Sequence, residues 1–266
     1  MSKNKVNSIF VNTVKKIWKF SKYEVKTISE SKPIKNDDEK YVFLNISTIP
    51  NYIYVLTREP TRTMDSRTGK FVSGYRNVNK KTREGDVAVL SLKGAKKIDF
   101  KVNLINLVPT PSEIVYAVGH LQYILSYLTA NSKHTVKTLL KKQLDLDRKF
   151  LKEKTLLIDE ADVREKITEE EVKKIYTFPI KITNTTEIDD IIINRTKGYA
   201  ILKIIPVEIG GGNIKAHIIV DTEDSKFYYF DYVRVQTINN IKIGKSVNQL
   251  SIKDFKNINK EVKNSK

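Results

Sequence analysis

The chain has 266 residues, of which 40% are hydrophobic and 30% charged, so it exceeds the usual size of one domain and can bury a core. It contains no cysteine, which excludes disulfides, thiolate zinc sites and cysteine nucleophiles. Any metal site would have to use histidine and carboxylate ligands. From this composition we expect neither a metal nor a cofactor, and two domains.

The net charge of +17 is unevenly distributed. Residues 1–150 carry +15, residues 151–240 carry −3, and residues 241–266 carry +5. A positive field at both ends favours a polyanionic partner such as nucleic acid or an acidic protein surface. The alternative is a charge that serves only solubility, in a chain rich in lysine, asparagine and isoleucine throughout.

Apolar residues recur at helical spacing between residues 8 and 20, with lysines on the other side. This pattern predicts a short basic amphipathic helix, and such a stripe docks on the protein's own core more often than on a membrane. The longest apolar stretch, Ile114 to Leu128, contains polar residues and is shorter than the roughly 20 residues that span a bilayer. We therefore expect no signal peptide and no transmembrane insertion.

The next part of the chain has the pattern of short β-strands separated by turns. Alternating polar and apolar residues indicate sheets with one face in water. Five such strands fit a small antiparallel barrel or sandwich, including an OB-like barrel, although nothing selects that topology. The predicted strands are 41–48, 51–57, about 70–77, 86–92 and 97–108.

A strong helix start follows the first group of strands. Thr110 is placed as the N-cap, Pro111 occupies the first helical position, and Glu113 follows three residues after the cap. Residues 113–130 are apolar on most sides, which predicts a helix buried between layers. A second, more polar helix is predicted over 133–156.

The chain then returns to strands after one more short helix. Thr168 and Glu171 repeat the capping-box spacing and predict that helix. Strand patterns resume after Pro179 and indicate a second antiparallel unit. These strands are predicted at 180–184, 190–194, 198–207, 214–221, 226–236 and 240–243.

Together these patterns predict an α+β fold. Two antiparallel β units, small barrels or sandwich-like, flank a central helical segment, with a basic helix before them and a basic tail after them. Ser251 and Asp254 have the spacing of a helix start within that tail. The predicted divisions are 1–40 for the basic helix and a linker, 41–108 for a basic β domain, 109–176 for the helical segment, 177–246 for the second β domain, and 247–266 for the basic tail.

The strongest functional signal is the segment 61–101, which has eleven positive against four negative residues. Much of it is turn-rich, so we expect its charges on exposed loops that can follow a phosphate backbone, with aromatic residues available to stack on bases. The alternatives are a solvated hairpin, or a loop that reaches into an acidic neighbour in an assembly. The candidate nucleic-acid-binding residues are Arg62, Arg67, Lys70, Phe71, Tyr75, Arg76, Lys80, Lys81 and Arg83.

Two groups of carboxylates outside the predicted helices are candidates for a metal site. Asp189 and Asp190 are adjacent, whereas Asp221, Glu223 and Asp224 have the composition of a hairpin turn. We interpret the second group as turn residues, so that their replacement by amides would leave folding nearly unchanged. The three histidines have no spacing typical of metal ligands, and no nucleophile or phosphate-loop motif occurs.

From the sequence we predict a non-catalytic nucleic-acid-binding protein, with phosphate contacts from the basic β-domain loop, and a composition compatible with a phage or mobile element. The alternative is a structural subunit of a virion or another assembly, for example a phage head, neck or tail component, held by charged loops and β packing. An enzyme is the least favoured class. The expected partners are nucleic acid or an acidic protein surface, with homo-oligomerisation possible, in the cytoplasm or in a virion.

Overall fold

The computed structural model describes most of the chain. In several strand segments, including 51–59 and 77–85, it describes only the backbone. α-Helices combine with mainly antiparallel sheets, which confirms the predicted α+β class. The described residues are 3–31, 42–64, 66–94, 99–104, 106–131, 133, 135, 138–139, 143–209, 212–232, 237–238, 241–242 and 249–265.

The first half of the chain consists of an N-terminal helix, a long β-hairpin with a third strand, and a long helix. Val14, Ile17 and Trp18 of the N-terminal region are buried, so the predicted amphipathic helix docks on the protein's own core. The elements in chain order are α1 (Lys3–Ile17), α2 (Ile28–Ser31), β1 (Val42–Met64), β2 (Phe71–Gly94), β3 (Asp99–Asn103) and α3 (Pro111–Ala130).

The second half contains a five-stranded sheet with short helices around it. Its helices are α4 (Leu144–Asp147), the 3₁₀-helices Arg148–Lys152 and Glu160–Asp162, α5 (Glu169–Lys173), α6 (Thr185–Asn194) and α7 (Ile252–Asn264). The strands of the five-stranded sheet are β4 (Thr155–Asp159), β5 (Ile180–Thr183), β6 (Tyr199–Ile209), β7 (Gly212–Asp221) and β8 (Phe227–Tyr232). A separate two-stranded sheet consists of β9 (Thr237–Ile238) and β10 (Ile241–Lys242).

The predicted strands of the first β unit merge into one long hairpin. β1 and β2 pair antiparallel from Val42 opposite Gly94 to Met64 opposite Phe71. Pro50 lies inside β1, where the sequence suggested a break. An edge strand can accommodate a proline, because one of its two sides faces no neighbouring strand.

The first sheet is open and does not form the predicted small barrel among the described strands. Its order is β1-β2-β3, and β3 pairs only with Val89 to Lys93 of β2. A barrel would require the two outer strands to pair with each other. The hairpin therefore has a three-stranded base and continues beyond it as two strands.

The second sheet is mixed rather than purely antiparallel. Its strand order is β5-β4-β6-β7-β8, with β4 parallel to both β5 and β6. The remaining pairs, β6 with β7 and β7 with β8, are antiparallel as predicted. Parallel pairing requires crossover segments, and α5 and α6 lie in those crossovers.

The strand predicted at 190–194 is wrong, because these residues belong to α6. The Asn184 side chain accepts a hydrogen bond from the Glu187 backbone N–H and so caps this helix. Ile188 and Ile192, one turn apart, are buried on its inner face. The β-branched run of isoleucines favours a strand locally, but the cap and the burial of one face decide for a helix.

The prediction of one long helix over 133–156 is also wrong for the C-terminal part of that range. Leu144 to Lys152 form a short helix and a 3₁₀ turn, and Thr155 starts β4. Several residues of the first half of that prediction lie outside the described residues.

α3 is the centre of the first hydrophobic core. Thr110 accepts from the Glu113 backbone N–H, and Glu113 accepts from the Thr110 backbone N–H, which confirms the predicted capping box. The helix is buried along most of its length, as predicted, between α1, the hairpin base and one face of the central sheet. Among the described helices, none combines the length and apolar character needed to cross a membrane.

The second core lies on the opposite face of the central sheet. α7 contributes Phe255, Ile258 and Val262, all fully buried, so the segment predicted to form a basic tail supplies a structural helix. The Asp254 carboxylate accepts from the Ser251 backbone N–H, as the predicted helix start requires. The division of the chain into the five predicted segments stays a prediction.

Gly119 on α3 packs directly against the turn that joins β7 and β8. A methyl group at Gly119 would lie 2.3 Å from the Ser225 hydroxyl and 3.4 Å from an Arg195 guanidinium nitrogen. Ser225 is buried and has a φ of 61°, so neither its backbone nor its side chain moves without cost.

We predict that Gly119→Ala destabilises the protein by about 1 to 3 kcal/mol, measured by urea denaturation. On an exposed helix surface, Gly→Ala would instead stabilise the protein by about 1 kcal/mol. A decrease in the free energy of unfolding therefore indicates the close contact at Gly119. Ser225→Gly removes the clashing hydroxyl and suits the positive φ, so the double variant should recover stability. A single variant at least as stable as the wild type would contradict this packing.

Candidate interaction surface on the hairpin arm

The hairpin beyond its three-stranded base is termed the hairpin arm, residues 50–86. In this part of the described structure, β1 and β2 pair with each other and with no other strand. At the rise of a β-strand, the arm extends for about 50 Å. The base is anchored, because Ala88, Leu90 and Leu92 are buried in the first core.

The end of the arm, residues 60–76, is termed the arm tip. Met64 and Phe71 lie opposite each other, and each exposes 63% of its surface. Arg62 lies over the Phe71 ring, 5.3 Å from its centroid, in a cation–π contact. Gly69 has a φ of 64°, the left-handed conformation that lets the chain reverse between the strands. Two large apolar side chains at an exposed turn are unusual for a solvated loop.

The predicted binding residues fall together on this arm. Tyr75, Lys80, Lys81 and Arg83 belong to β2, and their side chains lie outside the described residues. The others are exposed side chains of the arm tip: Arg62, Arg67, Lys70, Phe71 and Arg76.

The expectation that the basic residues between the strands predicted at about 70–77 and 86–92 lie on exposed loops is wrong, because these residues form part of β2. Gly74, Asn77, Asn79 and Gly85 favour turns locally, but antiparallel pairing with β1 places all of them in one strand. The basic residues therefore lie along a two-stranded ribbon. Their spacing along it is set by the strand and not by a mobile loop.

The central sheet has two edge strands, β5 and β8. On edge strand β5, the Ile182 backbone N–H donates to the Glu169 carboxylate at 2.7 Å. Edge strand β8 is in contact with α4 and the following 3₁₀-helix, and the Arg148 guanidinium lies 5.9 Å from the centre of the Tyr229 ring. Covered edges are the usual protection against unwanted strand pairing. Within the described residues, the arm has no such cover from a third strand.

The carboxylates considered as metal ligands have structural partners. Asp189 on α6 accepts a hydrogen bond from the Ser112 hydroxyl on α3. In the part of the chain that the structure describes, no cluster of three or more histidine or carboxylate side chains could hold a metal ion. His120 is buried against Phe227, and burial lowers its pKa to about 4, partly opposed by a hydrogen bond to the Ser225 backbone. His134 lies outside the described residues.

Comparisons with protein-family models, curated proteins and solved structures give no match to this chain. Its function is therefore inferred from the geometry of the arm and from the distribution of charge.

Asp221 has a larger role than the turn residue that the sequence indicated. It is buried, and its carboxylate accepts from Lys154 Nζ and from the Tyr228 hydroxyl, each at 2.6 Å. Its other oxygen accepts the Glu223 and Asp224 backbone N–H groups. Burial alone would raise the pKa of Asp221, but these hydrogen bonds outweigh it and lower the pKa below its ordinary value.

We predict that Asp221→Asn lowers the free energy of unfolding by about 2 to 4 kcal/mol at pH 7, because Lys154 then lacks its partner inside the protein. The pKa is lower in the folded state, so the wild-type advantage is present above about pH 4 and shrinks as the pH falls further. Urea denaturation between pH 3 and pH 7 would measure both effects.

Glu223→Gln is the matched control in the same turn. Glu223 forms a surface ion pair with Lys197, and this change should alter stability by less than about 0.5 kcal/mol. Equal effects of the two substitutions would mean that Asp221 acts only as a turn residue.

Proposed function

We propose that this chain is a non-catalytic structural subunit of a virion or another assembly, and that its hairpin arm binds a neighbouring subunit. The arm itself is the observation that carries the proposal. It is a two-stranded ribbon of about 50 Å that leaves an anchored base and ends in exposed apolar side chains.

A two-stranded ribbon in water is marginally stable without further packing. β1 also carries five consecutive apolar residues, Tyr52 to Leu56, and such a run is typical of a strand covered on both faces. In the arm the backbone of this run pairs only with β2. A partner subunit would supply cover for such a run, which supports an assembly role over an independent monomer.

The composition of the arm tip also suits a protein–protein contact. Met64 and Phe71 offer an apolar centre, and Arg62 lies against it. Methionine, aromatic residues and arginine are enriched in interfaces relative to the remaining surface, whereas lysine is depleted. On edge strand β5 of the central sheet, the Ile182 backbone N–H is already bonded to Glu169, which favours the arm as the place where another chain joins.

We predict that Met64→Glu combined with Phe71→Glu prevents assembly without unfolding the protein. Both side chains are largely exposed, so folding loses little, whereas two buried charges at an interface would weaken binding by several kcal/mol, or at least about 100-fold. Sedimentation velocity over a range of concentrations would report assembly, and circular dichroism would report folding.

A variant with Thr63→Glu and Thr68→Glu is the matched control, since it adds the same charge at exposed positions of the same tip. It should assemble more strongly than the variant with Met64→Glu and Phe71→Glu. A second test removes the tip by joining Glu59 to Arg76, which pair in register, through Asn-Gly. Wild-type assembly by the shortened chain would refute the assembly role of the arm.

A second candidate function is nucleic-acid binding by the same arm. The observation that favours it is charge, since residues 58–83 contain eight basic and two acidic residues. Basic side chains along a ribbon can neutralise successive phosphates, and each contact releases counterions. Phe71 offers an exposed ring for stacking.

We predict, for this second function, that reversal of Arg67, Lys70, Lys80, Lys81 and Arg83 to Glu weakens oligonucleotide binding far more than folding. The slope of log affinity against log salt should flatten by roughly one unit for each phosphate that is no longer neutralised, with little change in sequence preference. Fluorescence anisotropy with a labelled oligonucleotide would measure this. A wild-type chain without salt-dependent binding would exclude nucleic acid as the partner.

A further inference from the structure

The arm carries positive charge, and one stretch of the same chain carries concentrated negative charge. Residues 159–171, termed the acidic segment, contain seven acidic and two basic residues in a chain of net charge +17. The segment runs from the end of β4 through a 3₁₀-helix to the start of α5. Its charge is opposite to that of the arm.

The acidic segment is accessible and held in place by the fold. Glu160, Glu165 and Glu170 are exposed. Val163 is buried and forms a bridge with Leu250, and a capping box at Thr168 fixes the start of α5. A segment whose backbone is already fixed requires no backbone ordering before it binds a basic partner, which favours binding.

Within this segment, the charges of Asp159 and Asp162 repel each other. Burial and the neighbouring charge of Asp159 raise the pKa of Asp162 to about 6, against the opposing effect of Lys203 and Lys215. Positive charge brought to this surface would relieve that repulsion.

We infer that the partner of the hairpin arm is a second copy of this chain, and that the arm tip of one copy binds the acidic segment of the next. This inference rests on the proposed assembly function and names its partner. The two surfaces differ, so the contact is head-to-tail or reciprocal. Head-to-tail contacts close into a ring or continue as a filament, whereas reciprocal contacts give a dimer.

Charge complementarity is the reason for choosing a second copy. The sequence of the arm tip has four basic residues, Arg62, Arg67, Lys70 and Arg76, and one acidic residue, Asp65. Opposite charges across an interface guide encounter and fix the register of binding, while like charges exclude other surfaces of the same protein. Most of this chain is basic, so the acidic segment is the part of its sequence that best matches the arm.

The test is a charge swap between two variants. The arm variant carries Glu at Arg62, Arg67, Lys70 and Arg76, and the segment variant carries Lys at Glu160, Glu165 and Glu170. Each alone should self-associate at least about tenfold more weakly than the wild type, while an equimolar mixture should recover association. Sedimentation velocity at low and high salt measures both, and the association of the wild type should weaken with salt.

The segment variant avoids Glu169 and Glu171, which bond to the Ile182 and Thr168 backbone N–H groups. A control variant with Lys at Glu24, Glu153 and Asp231 has the same change in net charge at exposed positions elsewhere. It should associate as the wild type does. Circular dichroism and thermal melts of all variants establish that they fold.

The outcomes separate this inference from the proposed function. If the shortened arm prevents assembly but the segment variant assembles like the wild type, the acidic segment is not the binding surface, and the assembly role stands. If the mixture fails to recover association, or the wild type does not self-associate, the inference is overturned. Oligonucleotide binding by a wild type that stays monomeric would identify nucleic acid as the partner of the arm instead.

Discussion

Backbone N–H and C=O groups at strand edges must find partners, and this constraint organises the protein. On edge strand β5 of the central sheet, the Glu169 carboxylate meets it by accepting from the Ile182 backbone N–H, while α4 and a 3₁₀-helix contact edge strand β8. In the hairpin arm, within the described residues, the outer edges meet no further strand. Water can satisfy those groups, but an added chain can satisfy them and also cover apolar surface.

The arm is useful as a binding element because its base is fixed. Leu90 and Leu92 of the base lie in the same core as Val118 and Leu121 of α3. Since α3 also contacts the central sheet, through His120 against Phe227 and Gly119 against Ser225, the base of the arm is joined to the body of the protein. A long strand pair anchored in this way can place its tip at a defined distance from the core.

The turn between β7 and β8 is a second point on which the fold depends. Asp221 joins Lys154, next to β4, to Tyr228 on β8, and Ser225 lies against Gly119 on α3. The turn thus connects the sheet to the central helix by an ion pair, a hydrogen bond and a close contact. Its residues look polar and solvated in the sequence, but Asp221, Thr222 and Ser225 are buried inside the protein.

The sequence by itself determined the features that depend on local chemistry. The caps at Thr110 and Thr168, the burial of α3 and the antiparallel pairs of the second sheet follow from side-chain hydrogen bonds and hydrophobic periodicity. It also located the basic residues that the arm presents, although it assigned many of them to loops.

Only the tertiary structure decided the features that depend on residues far apart in the chain. Pairing with β1 turns the Gly- and Asn-rich stretch after Gly74 into a strand, and burial turns the isoleucines around Ile192 into a helix. Asp221 becomes an internal ion-pair partner because the fold brings Lys154 to it. Local propensities amount to about 1 kcal/mol or less per residue, so the summed contacts of a sheet or a core override them.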